Sequence, residues 1–505
     1  LASTMTLETL RLLTGIHPPV LVDNVAEYDA MSNTTTMHPV LIVPDCPVCA
    51  KKKGGRTQPP LDELIERAPQ PVDLAGIADR LVDARTGIVS QFGAVPRDPS
   101  EVPIPLVWRA KVANHRFLPE HDEDRATCSG KGMTRSQAWA SCLGEAVERY
   151  SGACWSPDEL LVMPRGELTG RSLDPRELVL YADDQYPSLK YSRYRDDAEL
   201  AWVRGRSLVY GDEVWLPAIA VLMDYPVQNP GEFLFPITSN GLAAGPTPHD
   251  AVLNALNEVL ERDAMLIAWL NRLPGHPHDA LLHPDQAVRR LARLYRRRGV
   301  ELQLVELPTD HPVSVFMGIA LQTDGTEGPS AAVGLGADMD PVEAARKAAL
   351  EVGQVRPSIR RRARLVSPER VAELAADPLK VASMEDHALL YADPSTAWAF
   401  RFLFGEPRDW EDRPRVDSAT ALRRLVEHFR GVGQDVLYVD LTPADMASLG
   451  IFTARVVVPG FQPIWFGRGE RRLGGRRMFE FAFRQGLSPA VTEPGALNPM
   501  PHPIA

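Results

Sequence analysis

The chain has 505 residues, enough for a large core and for roughly two to four domains. Hydrophobic residues make up 44% and charged residues 24%, a soluble-globular balance that excludes disorder throughout. A net charge of −11 has the wrong sign for a sequence-independent grip on nucleic acid, and no apolar run reaches the ~18–20 residues of a membrane span.

The opening Leu1-Ala2-Ser3-Thr4-Met5 lacks the basic-then-apolar pattern of a secretory signal, so a cytoplasmic protein is expected; without an initiating Met, a trimmed chain is expected too. Five irregularly spaced cysteines do not make a disulfide framework. Residues 1–60 form an N-terminal segment: an apolar-periodic opening, a strand-like run at 39–44, then Cys46-Pro47-Val48-Cys49 and a Gly/Pro-rich linker ending near residue 60. Cys46 and Cys49 have the spacing of half a zinc knuckle. Structural zinc needs four ligands, and no second Cys-x-x-Cys follows. Cys128 and Cys142 read as buried packing residues.

From residue 61 to 505 the pattern is α/β. Strands are expected at 102–107, 200–203, 214–223, 302–306, 313–321 and 455–458, and helices at 135–150, 249–270, 341–354 and 418–431. The proline-spaced end, from Pro494 to Ala505, should be extended.

One spacing recurs. Ala138, Ala251 and Ala344 are each followed, three residues on, by Ser141, Asn254 and Lys347. Four further come Glu145, Glu258 and Glu351, and then, three beyond, Glu148, Glu261 and Gln354. Arg149 and Arg262 close the first two copies, whereas Val355 stands at that place in the third. Positions i, i+4 and i+7 share one helical face. Each copy follows glycines that read as a turn: Gly130-Lys131-Gly132, Gly241 to Gly245, and Gly334-Leu335-Gly336. The expectation is an internal pseudo-repeat of turn–helix units aimed at one centre. Clustered carboxylates repel unless divalent cations offset them, and Mg²⁺ takes hard oxygen ligands together with substrate phosphates. Lys131, Arg149 and Arg262 are suited to phosphate oxygens. Gly130-Lys131-Gly132 is not a P-loop, because glycine follows the lysine where Ser or Thr is required.

At these residues the chain resembles the YcaO superfamily. Ser129-Gly130-Lys131-Gly132 with the helix through Glu145, Glu148 and Arg149 is similar to its first nucleotide motif. Ser239 to Gly245, with Asn254, Glu258, Glu261 and Arg262, is similar to the second, and Glu351 to Gln354 to the third, with Arg356 the candidate for its arginine. The resemblance implies a YcaO-type α/β fold with internal pseudo-repeats around a central nucleotide site. It implies ATP binding by Lys131, Ser141, Arg149, Asn254, Arg262, Gln354 and Arg356, and Mg²⁺ binding by Glu145, Glu148, Glu258, Glu261 and Glu351. Pro499, Pro501 and Pro503 resemble the PxPxP tail of azoline-forming cyclodehydratases, which implies a catalytic role for that tail and for the C-terminal carboxylate on Ala505. Residues 1–60 resemble the last part of the E1-like partner protein of these pathways.

The function so implied is ATP-dependent cyclodehydration of Cys, Ser or Thr in a ribosomal precursor peptide. The attacked amide oxygen is phosphorylated and a thiazoline or oxazoline forms. The implied partners are the precursor, an E1-like or other leader-binding protein, a flavin azoline dehydrogenase and a second copy of the chain. Two other readings stay open: a YcaO forming a thioamide or amidine, and a non-catalytic YcaO scaffold that stimulates a partner.

Overall fold

In the computed structural model the described residues are 2–42, 58–67, 73–115, 126–323, 325, 328–411 and 415–504. Cys46, Cys49 and Ala505 lie outside them.

Three sheets each deliver one strand directly into a long helix. The first is three-stranded and antiparallel, Val89–Ala94, Leu106–Val112 and Thr127–Gly132 in that order, and its last strand (β1, Thr127–Gly132) leads into α1, Arg135–Ala153. In the second, seven-stranded sheet, β2 (Leu242–Gly245) is an edge strand beside Phe452–Val457 and leads into α2, Pro248–Asn271. The third is a four-stranded meander of His276–Asp279, Val300–Leu307, Ser314–Gln322 and β3 (Ala331–Asp338), which leads into α3, Pro341–Leu365.

Local chemistry starts each helix at the same place. Thr134, Thr247 and Asp340 are N-caps whose side chains accept from Gln137, Asp250 and Val342 backbone N–H, and Pro248 and Pro341 open the first turns of α2 and α3. Gly241, with φ of 79°, lies in a turn just before β2, as expected; the other expected glycine turns are strands. Gly130 and Gly132 lie in β1, Gly245 ends β2, and Gly334 and Gly336 lie in β3. These glycines serve close packing instead: a Cβ on Gly132 would sit 2.5 Å from the Ala138 nitrogen, one on Gly245 2.6 Å from the Ala251 nitrogen, and one on Gly336 2.1 Å from the Ala344 carbonyl oxygen. Each helix thus lies against the strand that precedes it at its equivalent alanine, and all three alanines are fully buried.

Helix 418–431 falls where expected, as Ser418–Gly431. The strand expected at 102–107 runs Leu106–Val112, since Pro103 and Pro105 have no N–H for a ladder. The strand expected at 214–223 stops at Pro217, after which Ala218–Val221 is a short buried helix. At the N-terminus, helix Ala2–Thr14 buries no residue, and the hairpin Asn24–Asp29/Thr34–Pro39 is joined to the body through His38, whose ring nitrogen lies 3.0 Å from Asp83. Gln58, at the end of the expected linker, is buried and accepts from the Asp440 N–H at 2.7 Å.

Gly336→Ala is expected to lower stability by roughly 1–3 kcal/mol, because the nearest atoms are helix backbone and cannot swing aside. Gly231→Ala, where the nearest atom would be 3.7 Å away, should stay within about 0.5 kcal/mol. Chemical denaturation of the two variants checks the contrast.

Candidate functional site

On α1, α2 and α3 the equivalent side chains remain accessible while their neighbours are buried. Ser141, Asn254 and Lys347 come first along each face, then Glu145, Glu258 and Glu351, then Glu148, Glu261 and Gln354. The packing of each helix on its own strand turns these faces toward one another. Ser129 of β1 joins two of the units: its N–H donates to Glu145 Oε2 at 3.1 Å, and its hydroxyl accepts from Gln354 Nε2 at 2.7 Å. Lys131, two residues on and on the same side of the strand, donates to Glu351 Oε2 at 3.0 Å. The alternate residues of the strand, Gly130 and Gly132, face α1.

Five carboxylates share this centre with four cations. Arg149 donates to Glu145 at 3.2 Å, and Arg262 Nε lies 3.9 Å from both Glu258 and Glu261. Arg455 is the fourth. It projects from strand Phe452–Val457, is 4% exposed, and donates to the Ala220 and Thr238 carbonyls at 3.0 and 2.8 Å. Its charge acts on Glu258 and Glu148. Each of Arg149 Nε, Arg262 Nη1 and Arg455 Nη1 is buried with no hydrogen-bond partner among the described residues. Buried donors left unmet are costly, so the centre is built to receive acceptor oxygens.

The carboxylates show the strain of this crowding. Burial and then Glu258 and Glu145 hold Glu148 well above the usual carboxylate range. Burial raises Glu258 despite Arg262 and Arg455, and raises Glu261 to about 7 against Arg262. Glu351 goes the other way: burial works to raise it, but Lys131 and Arg262 hold it below its ordinary value.

Among the described residues no three His, Cys, Asp or Glu side chains converge closely enough to hold a metal unaided. The five glutamates are therefore not a preassembled magnesium cage. Glu145 and Glu351 are already engaged by Arg149 and Lys131. The donor set does fit Mg²⁺ taken up with phosphates, which needs only one or two carboxylates from the protein. Nothing adds support to zinc: Cys128 and Cys142 are fully buried, and burial pushes both thiols up, Cys142 to about 12.

Arg356 does not join the cluster. It is 1% exposed, donates to the Pro329 carbonyl and Gln322 at 2.7 and 2.6 Å, and lies 3.5 Å from Glu101. Two residues beyond Gln354, a helix has turned most of the way to its opposite side. Ser141 makes no side-chain hydrogen bond among the described residues, Asn254 donates to the Ala244 carbonyl at 3.3 Å, and Lys347 is held by Asp338 at 2.7 Å.

The tail is packed rather than free. Asn498 N–H donates to the Leu270 carbonyl at 2.7 Å, Trp269 Nε1 to Met500 at 2.9 Å, and Tyr391 to Pro501. His387 Nδ1 lies 2.7 Å from the His502 carbonyl, and His502 Nε2 2.7 Å from that of Trp465. Pro501 and Pro503 are buried and Pro499 is exposed. The Arg262 charge helps hold the His502 imidazole neutral, after burial and His387, so the tail runs near the carboxylate centre.

Sequence reasoning missed Arg455 as a site residue. Its one signal was an arginine inside the apolar run Phe452-Thr453-Ala454-Arg455-Val456-Val457-Val458. Ser129 was read as part of a motif, but not as the link between α1 and α3.

A family model described as YcaO cyclodehydratase, ATP- and Mg²⁺-binding, matches residues 129–462. An uncharacterised protein of Methanothermobacter thermautotrophicus is 32% identical over 358 residues, 69% of this chain and 84% of that protein. A heterocyclase in complex with substrate and cofactor has the same fold at TM-score 0.76 and 23% identity, over 100% of this chain and 68% of the heterocyclase. YcaO from Methanopyrus kandleri, bound with AMPPCP and Mg²⁺, matches at TM-score 0.53 and 23% identity, over 74% of this chain and 86% of that one. The chain belongs to the YcaO family. It is an enzyme of that family's ATP-dependent cyclodehydratase class, with the α/β fold of YcaO heterocyclases.

Glu261 carries a pH prediction. A carboxyl raised from 4.5 to about 7 on folding contributes stability that is full below pH 4.5 and lost as pH rises through 7. Glu261→Gln should therefore stabilise the ligand-free protein at pH 8 by an amount on the order of 1 kcal/mol, seen as a higher thermal midpoint, and flatten the decline of stability between pH 5 and 8. A variant less stable than wild type at pH 8 would contradict this electrostatic account.

Proposed function

We propose that this protein catalyses ATP- and Mg²⁺-dependent cyclodehydration of Cys, Ser or Thr in a ribosomally made peptide, giving thiazoline or oxazoline rings. The observation that carries the reading is the set of unpartnered Arg149, Arg262 and Arg455 N–H groups facing glutamates from three helices. A peptide side chain attacks the preceding amide carbonyl. The resulting oxyanion takes the γ-phosphoryl group of ATP, and phosphate then leaves. The protein's part is positioning and charge stabilisation, as in other phosphoryl transfers. Arg149, Arg262 and Arg455 would donate to phosphate oxygens, while Lys131 would offset charge from its place beside Glu351. Gln354 would hold Ser129, and through it the spacing of α1 and α3. Glu148, Glu258 and Glu261 would take the Mg²⁺ that accompanies the nucleotide, and that ion supplies charge neutralisation at the phosphates. Ser141 and Asn254, accessible at the first position of each face, would contact nucleotide or bound water.

The nucleotide assignment agrees with the AMPPCP and Mg²⁺ bound to the Methanopyrus YcaO, and the peptide assignment with the substrate-bound heterocyclase. The partners follow from the same reading: a precursor peptide, an E1-like leader-binding protein and a flavin-dependent azoline dehydrogenase. The tail of Pro499, Pro501 and Pro503 would bring the Ala505 carboxylate to the centre for proton transfer.

The direct test is mass spectrometry of the precursor after incubation with the protein, ATP, Mg²⁺ and a leader-binding partner. Loss of water is expected; gain of sulfur in place of oxygen would indicate a thioamide-forming enzyme instead. Glu148→Gln and Glu261→Gln should each abolish the loss.

Arg455 gives a separate prediction. Arg455→Met should lower the rate by roughly 10²-fold or more, because a donor to the transferring group is removed. Circular dichroism would verify folding, and an unchanged turnover would remove Arg455 from the site.

A further inference from the structure

A pocket with about 60 Å³ of water-accessible room borders the carboxylate centre. Its wall includes Arg455 and Val259, the residue after Glu258 on α2, but none of the five glutamates. Two guanidinium groups reach it from separate parts of the chain. Arg455 comes from strand Phe452–Val457 and is held by the carbonyls of Ala220 and Thr238, both of them pocket residues. Arg472 is 5% exposed; its Nε donates to the Val179 carbonyl at 2.7 Å, and its Nη2 to that of Leu178 in the pocket wall. Its guanidinium carbon lies 4.2 Å from the centre of the Phe235 ring, which also lines the pocket. The Gln462 side chain donates to the Arg472 carbonyl at 2.9 Å and so fixes the segment that carries this arginine.

The charge here is unbalanced. No Asp or Glu lines the pocket, and neither arginine makes an ion pair among the described residues. Burial pulls both guanidinium groups down to about 10. Glu258 and Glu148 act on Arg455 from the neighbouring centre, whereas the groups that act on Arg472 are Tyr181, Tyr186 and Tyr191. A buried charge without a counter-ion is costly, and water would satisfy N–H groups without offsetting that charge, so the pocket favours an anion. Arg455 Nη1 lacks an acceptor and Asn240 Oδ1 lacks a donor among the described residues, and both residues line the pocket. A carboxylate only accepts hydrogen bonds, whereas hydrogen phosphate accepts from guanidinium groups and also donates its own O–H. One water needs about 10–15 Å³ of such room, so the pocket takes about four to six water-sized atoms. That is one phosphate, and well short of a nucleotide. We infer that Arg455, Arg472 and Asn240 form a subsite for one inorganic phosphate, separate from the phosphates of a bound nucleotide. On the cyclodehydration reading above, on which this role rests, the subsite holds the phosphate that leaves as the ring closes. Arg455 borders both places and would keep its hold while Arg472 takes over from the centre.

The test is a binding measurement that needs no turnover. The full chain is dialysed to equilibrium against radiolabelled inorganic phosphate, with and without saturating Mg-ADP, and with unlabelled phosphate or acetate as competitor. Arg472→Met, Arg472→Lys and Asn240→Asp are measured alongside, together with the affinity of wild type and Arg472→Met for Mg-AMPPCP. One phosphate should bind per chain, with or without Mg-ADP, and acetate should compete at least about tenfold more weakly than phosphate. Arg472→Met and Asn240→Asp should each weaken phosphate by about tenfold or more, Arg472→Lys should keep part of the affinity, and Arg472→Met should leave Mg-AMPPCP unchanged. Asn240→Asp nearly preserves shape, so its effect is readable even if Arg472→Met fails to fold. No saturable phosphate binding, its loss on adding Mg-ADP, or acetate competing as well as phosphate would each overturn the proposal. So would phosphate binding that survives Asn240→Asp, or an Arg472→Met that weakens Mg-AMPPCP as much as phosphate. Failure of the cyclodehydration reading would show separately, as no loss of water from the precursor with a chain that still binds phosphate.

Discussion

The contact on which this arrangement depends is a glycine in a strand lying under the backbone of the helix that follows it. Gly132 under Ala138, Gly245 under Ala251 and Gly336 under Ala344 remove the side chain that would hold each helix away. With the strand and helix in close contact, the i, i+4, i+7 face of each helix has only one direction left to point. Three sheets supply three such units, and the carboxylates meet between them.

That meeting is unfavourable for the ligand-free protein. Glu148, Glu258 and Glu261 are all raised by burial, Glu148 and Glu261 also by the charge of Glu258, and one N–H-bearing nitrogen on each of Arg149, Arg262 and Arg455 lacks an acceptor among the described residues. A stable core elsewhere makes this tolerable. The buried C-terminal tail, the long α2 and the four-stranded meander supply dense apolar packing around the site. On the proposed function, stability lost at the centre would favour binding of a nucleotide and its metal, because the same groups would be satisfied by phosphate oxygens and a divalent cation.

The two arginines missed or misplaced by sequence reasoning have the same explanation. Arg356 is the candidate that the family resemblance implies for the arginine of the third motif, but the helix turns it toward Glu101. Arg455 lies two hundred residues from α2 in sequence and reaches the site only because its strand pairs with β2, with Leu242 opposite Arg455. The proline-spaced tail reads as an extended end, yet its carbonyls are bonded to Trp269, Tyr391 and His387. A proline offers no N–H, so its neighbours' donors must come from elsewhere in the fold.

The sequence by itself determined the α/β class, the long helices, the repeat and the identity of the glutamates. Helical periodicity and capping are local, and a spacing written twice and echoed a third time needs no structure to be read. Only the tertiary structure decided that Gly130, Gly132, Gly245, Gly334 and Gly336 are strand residues rather than turns, that Ser129 ties α1 to α3, and that Arg455 faces Glu148 and Glu258. Those facts depend on strand pairing and helix packing between residues far apart in the chain, which no local pattern encodes.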